Sequence, residues 1–471
     1  MLPILPLIVL VPYLFLAPTL LLRKEASWNI AILASLLMAG LVGAAVYYAS
    51  AQGLGSVSFD IAYIPAFSIN LNMQLTNMNL ILVVMTAIVF LATSIVGKYF
   101  IGKAERIYNV IFLLAEGSAL GVFLSANLFL FYIFFEICEV ALFFIIFIYG
   151  GYDRRYAAVK FIIYSIVATL LLLIGIILLY AYTTPHSFDI ASIAQNAGDI
   201  PANIQLLVFV LLLVAFMIKM PAFPFHSWLP DAHTEAPATG SMILAGVLLK
   251  FGGYGLLLLF FMLPISAHYA AYLSMIFGFS AIYGAVVALK QLHLKRMIAY
   301  TSVADMGIVA FGLSSFSVYG TAGSLYLMLS HGLAISMLFM LAGSIDEGFG
   351  TLIISRINGL ARSVPSVTYL FLMGIFVTVG LPLTAGFIGD LLIFIGAYGT
   401  FGTAGLVPLG AVFIVAAYLF WVVEKAFFGS AKRPEPLNSI SPSVTYAGLL
   451  LAASAIILGV VPALLLGVSG F

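Results

Sequence analysis

The chain has 471 residues, of which 64% are hydrophobic and only 7% charged, with a formal net charge of +1. A soluble domain carries about 25% charged residues, so the composition excludes an ordinary soluble protein and places the chain in a membrane. A net charge near zero and the lack of any basic run give nucleic acid no place among its partners. The single cysteine, Cys138, lies inside an apolar run. It reads as a small buried hydrophobe, which leaves no disulfide and no cysteine-ligated iron–sulfur cluster within this chain, so electrons travel elsewhere. No basic region precedes the first apolar stretch, the pattern of a first span rather than of a cleaved signal peptide.

A helix that crosses a bilayer needs about 20 apolar residues. By that measure the expectation is an all-α polytopic protein with 14 spans, over 3–22, 28–50, 78–97, 108–125, 127–149, 158–182, 204–230, 238–263, 269–290, 297–315, 320–343, 366–399, 403–428 and 442–466. Spans seven and twelve are too long and too interrupted to be plain helices. The basic residues test this count, because cytoplasmic loops carry the excess of Lys and Arg. Of the 18 basic residues, all but Lys219 and Lys250 fall in or beside connections from an odd span to the next even one. A miscounted span would scatter them. Both termini are therefore expected outside, in the plasma membrane, with the odd-to-even loops and the HSWLPDAH segment on the cytoplasmic side.

Span seven breaks at KMPAFP. Pro221 and Pro224 each lack an N–H and clash with the carbonyl four residues earlier, which frees the carbonyls of Met217 and Met220 beside Lys219. Span twelve breaks at GLPLTAG, Gly380 to Gly386, where Pro382 frees the carbonyl of Thr378. The breaks lie five spans apart, so a second unit enters the membrane in the opposite sense to the first. Broken helices at matching positions of two inverted five-helix units, spans four to eight and nine to thirteen, are a transporter pattern. The expected organisation is residues 1–107 as spans one to three, 108–263 and 264–428 as the two units, and 429–471 carrying span fourteen.

A lysine at the bilayer centre costs roughly 2.5 to 3.5 kcal/mol, so Lys219 and Lys250 need a protein interior, a hydrated path or a partner. The spans also hold Glu116, Glu136, Glu139, Asp305, His331 and Asp390. Glu136 and Glu139 share one face of span five, about 4.5 Å apart along the axis. Two carboxylates that close do not both ionise readily, which suits a proton carrier. An adjacent carboxylate holds a buried lysine charged, and moving it away makes the lysine release its proton. His331 titrates near neutral pH and can relay. Each residue has a blander role open to it: Glu139 as a charge balance, Glu116 as a helix contact, His331 as a hydrogen-bond donor, and Asp305 as a static partner of Lys250. His226, Asp231, His233 and Glu235 lack the helical spacing or cysteine pair of a metal site, so no metal is expected.

The stretches KMPAFPFHSWLPDAHTEAPATGSMILAGVLLKFGGYGLL, LKRMIAYTSVADMGIVAFG, LSHGLAISMLFMLAGSI and GLPLTAGFIGD carry a resemblance. They are similar to the antiporter-like, proton-pumping membrane subunits of respiratory complex I, NADH-quinone oxidoreductase, and to subunit M (chain 4) in particular. The wider superfamily includes multisubunit cation/proton antiporters and the membrane subunits of related hydrogenases and archaeal dehydrogenases. The likeness covers about Asn127 to Gly399 well and the flanks by topology. PFHSWLPDAH is highly specific for the superfamily, and the FYIFFE approach to Glu136, with no long extension after span fourteen, favours M over the sister that carries a lateral helix.

This resemblance implies fourteen helices in inverted repeats and proton pumping driven by electron transfer in partner subunits. Those partners are sister antiporter-like and small membrane subunits, with redox subunits on the cytoplasmic side that carry FMN and iron–sulfur clusters and use a quinone; the chain itself holds no cofactor and meets lipid. By motif match Glu136 pairs with Lys219, Lys250 is the connecting lysine of span eight, and His331 is the histidine of span eleven. Asp390 stands where a glutamate is usual and Asp305 where a histidine is common, while Glu139 is an added acid and Glu116 matches no position. The implied route runs from the cytoplasm to Lys219, through Lys250, Asp305 and His331, and out at Asp390, gated by the Glu136–Lys219 pair. The rivals are a subunit of a sodium/proton antiporter, in which Glu139 and Asp305 hold sodium, or of a membrane-bound hydrogenase-type complex, and a spacer that conducts nothing.

Overall fold

Hydrocarbon offers the backbone no hydrogen-bond partner, so each apolar run closes its own N–H and C=O groups by coiling into a helix. The computed structural model describes residues 4–22, 26–51, 56–64, 69–102, 105–428 and 441–469. Among them are 14 helices long and apolar enough to cross a membrane, matching the fourteen expected spans. Arg23, Lys24, Lys103, Lys432 and Arg433, used in the loop count, lie outside the described residues.

The two interrupted spans are interrupted. The seventh is Ala202–Lys219 followed by a short helix, Trp228–Glu235. The twelfth is Pro365–Thr378 followed by Ala385–Phe401. The eleventh is longer than expected, a continuous helix over Val318–Phe349. One element was not anticipated: Ser56–Ile64 and Ile69–Thr76 pair antiparallel, with Ser56 opposite Thr76. The second strand, INLNMQLT, alternates apolar and polar residues strictly, the two-residue period of a strand, a signal that a search for 20-residue apolar runs passes over.

The loops sort to two ends. At one, Gly151 N–H donates 2.8 Å to the Glu235 carbonyl and Leu294 N–H donates 2.9 Å to the Leu352 carbonyl, joining odd-to-even connections. There Asp231 also binds Lys160 at 2.7 Å and Arg296 at 3.3 Å. At the other end the β-hairpin meets Ser125 through Met73, and Asn127 pairs with Asp189. That segregation is what the basic residues required of the span count.

Burial is uneven. The eighth, tenth and eleventh spans have 94%, 89% and 100% of their apolar windows inside the protein, against 39% for the sixth and twelfth. The eleventh is therefore the central pillar. Gly246 and Gly332 let the eighth span lie against it, since a Cβ on Gly332 would stand 2.9 Å from the Gly246 carbonyl. Gly252 lets the eighth span lie against the seventh break, where a Cβ would meet Met220 N at 2.5 Å.

Candidate functional site: buried charges in two groups

The first group forms where the seventh span stops. Lys219 is its last helical residue, and its side chain is 3% exposed. The carbonyl of Met217, expected to be free, accepts the N–H of Ala222 at 2.9 Å, and that of Ile218 accepts the indole N–H of Trp228 at 2.9 Å. The break is thus closed at Met217 and Ile218, beside the lysine. Lys219 Nζ forms an ion pair with Glu139 Oε1 and donates 3.3 Å to the Ser165 carbonyl, with the Phe135 ring centroid 5.2 Å away. Ser165 Oγ donates 3.4 Å to the same Glu139 oxygen.

This corrects the expected pairing. Glu139, the added acid, is buried and holds Lys219, whereas Glu136 is half-buried and lies within hydrogen-bonding reach of Tyr132, one turn earlier. The three-residue offset turns the two carboxylates to neighbouring sectors of the Leu128–Tyr149 helix, and only one of them points at the seventh span. Motif position alone does not distinguish them.

The second group surrounds Lys250. Ahead of it the eighth span widens into a π-helical turn over Leu244–Leu248. Such turns occur often at functional sites, and here Lys250 Nζ reaches back five residues to donate 2.5 Å to the Ala245 carbonyl. The same Nζ is 2.6 Å from His331 Nδ1. Two basic nitrogens at that separation share one proton: one donates and the other accepts. On the far side of the ring His331 Nε2 lies 4.0 Å from Asp305 Oδ2, a contact between charges that is too long for a hydrogen bond. Asp305 therefore faces His331 directly and is within electrostatic reach of Lys250 and Asp390.

Asp390 closes the row at the second break. Gly380 has φ +66°, and a Cβ there would stand 2.7 Å from Asp390 Oδ2, so the carboxylate lies over the opened turn. Asp390 is half-buried, unlike Lys250, which is completely enclosed. Among the described residues no hydrogen bond or ion pair joins Lys219 to Lys250. Six of the seven expected residues thus fall into two groups, Lys250–His331–Asp305–Asp390 and Lys219–Glu139, with the seventh, Glu136, one turn from Tyr132 beside the second group.

Glu116 stands apart, fully buried in the fourth span against Ser35, with neither oxygen bonded among the described residues. The four residues weighed as metal ligands have other surroundings. Asp231 bridges Lys160 and Arg296, and Glu235 accepts the Asp153 N–H at 2.9 Å. His226 packs against Tyr283. His233 is the residue that sequence reasoning undervalued. It is wholly buried, neither ring nitrogen is bonded among the described residues, and it stacks on Phe339 at 4.3 Å within electrostatic reach of Lys250. Its place just after the break, in the short helix that follows Lys219, was the available signal.

The comparisons with known proteins fit this geometry. The family described as NADH:quinone oxidoreductase/Mrp antiporter, TM, matches residues 125–423, a stretch that contains both charge groups. The chain is 38% identical over 364 residues to NADH-quinone oxidoreductase subunit M of Rickettsia felis, covering 76% of this chain and 73% of that one. It is 35% identical over 442 residues to F(420)H(2) dehydrogenase subunit M of Methanosarcina mazei, covering 91% and 88%. Among solved structures it superposes on a chain of respiratory complex I from Thermus thermophilus with TM-score 0.87 and 26% identity, covering 99% of this chain and 97% of that one. Two groups of acids and bases at and between two broken helices, a family match across both groups and these relatives lead to one conclusion: the chain belongs to the NADH:quinone oxidoreductase/Mrp antiporter transmembrane family.

Proposed function

We propose that this chain is a proton-translocating membrane subunit of a complex I-like pump. Electron transfer in partner subunits drives it, with FMN, iron–sulfur clusters and a quinone held there rather than here. Sister antiporter-like and small membrane subunits flank it in the plasma membrane. Both termini face outward, and the redox subunits sit on the cytoplasmic side, where the odd-to-even loops gather. Residues 108–263 and 264–428 act as two inverted units, with 1–107 and 429–471 packed around them.

The observation that carries this reading is the enclosed Glu139–Lys219 pair at the end of a broken helix, with a second basic cluster deeper in the protein. Protons load at Lys219, pass to Lys250 and His331, and leave past Asp305 to the half-buried Asp390. Making and breaking the Glu139–Lys219 pair gates the steps. Glu136 lies beside the pair on the partly uncovered side of its helix, where a neighbouring subunit can bias the switch. Moving one charge against 100 mV costs about 2.3 kcal/mol. Breaking a buried pair by removing one partner costs roughly 3 to 5 kcal/mol, so the pair supplies a lever of sufficient size.

The test is Lys219→Ala in the assembled complex, in inverted membrane vesicles given NADH and a short-chain quinone. Acidification of the lumen is expected to be lost while the complex still assembles. Unchanged acidification rejects the role.

A further inference from the structure

The segment that follows the seventh-span break, Met220 to Glu235, is held from two sides. On one side is the sixth span, Arg154–Tyr182, where Tyr164 Oη lies 2.8 Å from Ser227 Oγ and Phe161 packs on Trp228 at 5.4 Å. On the other is the ninth span, where Ser280 Oγ accepts the Phe223 N–H at 2.9 Å and Tyr283 packs on the Phe223 ring at 4.9 Å. Among the described residues of this segment, Asp231 is the one whose side chain bonds to both sides. Its Oδ2 takes the Lys160 ammonium of the sixth span at 2.7 Å, and its Oδ1 takes the Arg296 guanidinium of the tenth at 3.3 Å. Lys160 and Asp231 lie within residues 108–263 and Arg296 within 264–428, so one carboxylate bridges the two proposed units.

Each end of the bridge leads to a charge group. One turn on from Lys160, the Ser165 carbonyl accepts from the Lys219 ammonium, and Trp228, in the same short helix as Asp231, caps the Ile218 carbonyl beside that lysine. Arg296 and Asp305 share the continuous helix Leu294–Leu313, about 13.5 Å apart along its axis. Asp305 stops 4.0 Å from His331 Nε2, so a movement of the tenth span by roughly 1 Å brings this pair into hydrogen-bond range. Shifts of about 1 to 2 Å are ordinary for packed helices. A strut that only tied down the short helix would need a single cation. Asp231 has one for each oxygen, drawn from different units, and all three side chains are partly exposed, so the bridge can break and re-form without a large desolvation cost.

We propose that Asp231 is a positioning residue that couples the two units, carrying movement of the seventh-span break to the tenth span and so setting whether Asp305 reaches His331. The proposal rests on the reading that the two charge groups carry protons. While Glu139 holds Lys219, the short helix is seated and Asp231 joins Lys160 to Arg296. When that pair opens, the segment shifts at Lys219, the last helical residue before the break, and Asp231 draws the first turn of the tenth span with it. No proton passes through Asp231; its bridge decides when Lys250, His331 and Asp305 form a continuous row.

Arg296→Gln is the decisive variant, because the side chain is 42% exposed and its loss leaves the Lys160–Asp231 bond in place. Vesicles carrying the variant complex are given NADH and a short-chain quinone, and the protons moved per NADH oxidised are measured. This ratio is expected to fall about threefold, the scale of a part-exposed ion pair, and Arg296→Lys, which keeps the charge, is expected to restore the greater part of it. In an Asp231→Asn background, Arg296→Gln is expected to change nothing further, since its partner is already gone. A second threefold loss in that background, or an Arg296→Lys ratio as low as that of Arg296→Gln, overturns the coupling. Lys219→Ala is run beside these. A normal ratio in Arg296→Gln next to a silent Lys219→Ala complex overturns the bridge alone, whereas normal pumping in both overturns the reading that these groups carry protons.

Discussion

The Lys219 and Lys250 surroundings solve the same problem in opposite ways. Lys219 is balanced by a carboxylate, Glu139, and a backbone carbonyl, in a turn whose loose carbonyls have been taken up by Ala222 and Trp228. Among the described residues Lys250 has no acid in hydrogen-bond contact. It leans on a carbonyl and on another base, His331, with Asp305 one residue further out. A neutralised pair is stable until one partner moves, which is how a switch behaves. Two bases sharing one proton next to an acid can pass it on without large motion, which is how a wire behaves. On the proposed route, charge balance, more than the presence of lysine, separates the two roles.

The wire is the easier half to break. His331→Ala removes the acceptor from Lys250 and the neighbour from Asp305 together. Pumping is expected to fall on the order of 10²-fold in the vesicle acidification assay, the scale of a lost positioned acid–base group. Electron transfer should fall less than pumping. A variant that retains full pumping would make His331 a packing residue and leave Lys250 without a route. A smaller effect is expected at the far end of the wire. Gly380→Ala puts a side chain at φ +66° and 2.7 Å from Asp390 Oδ2. The left-handed backbone alone costs roughly 1 to 2 kcal/mol. Thermal unfolding of the purified complex should begin a few degrees lower, with pumping reduced only in part. A loss as deep as that of His331→Ala would mean that Asp390 is held far more tightly than its half-burial implies.

Much of this architecture is legible in the residues. Apolar run length and the one-sided distribution of basic residues suffice for fourteen spans, because the bilayer permits so few alternatives. The proline breaks are equally readable, since a missing N–H has a fixed consequence for the carbonyl four residues back. What happens beside it is less so: the Trp228 indole that caps the neighbouring Ile218 carbonyl comes from ten residues further on, across a turn. Lys250 and His331 are 81 positions apart in sequence, and their contact depends on Gly246 and Gly332 bringing two helices together. The choice between Glu136 and Glu139 turns on helix rotation of a few tens of degrees, which no spacing rule resolves when both lie on one face. His233 was passed over because its neighbours in sequence resembled a failed metal site, while its burial is a property of the assembled bundle.

The central claim is that Glu139 holds the switch lysine and that releasing it moves protons. It is tested most directly by comparing Glu139→Gln and Glu136→Gln in the assembled complex, with vesicle acidification measured against electron-transfer rate. Glu139→Gln should strand Lys219 without a counter-charge, at a cost of about 3 to 5 kcal/mol to local stability, and uncouple or abolish pumping, while Glu136→Gln leaves the greater part of it. Full pumping in Glu139→Gln beside a silent Glu136→Gln would contradict the pairing.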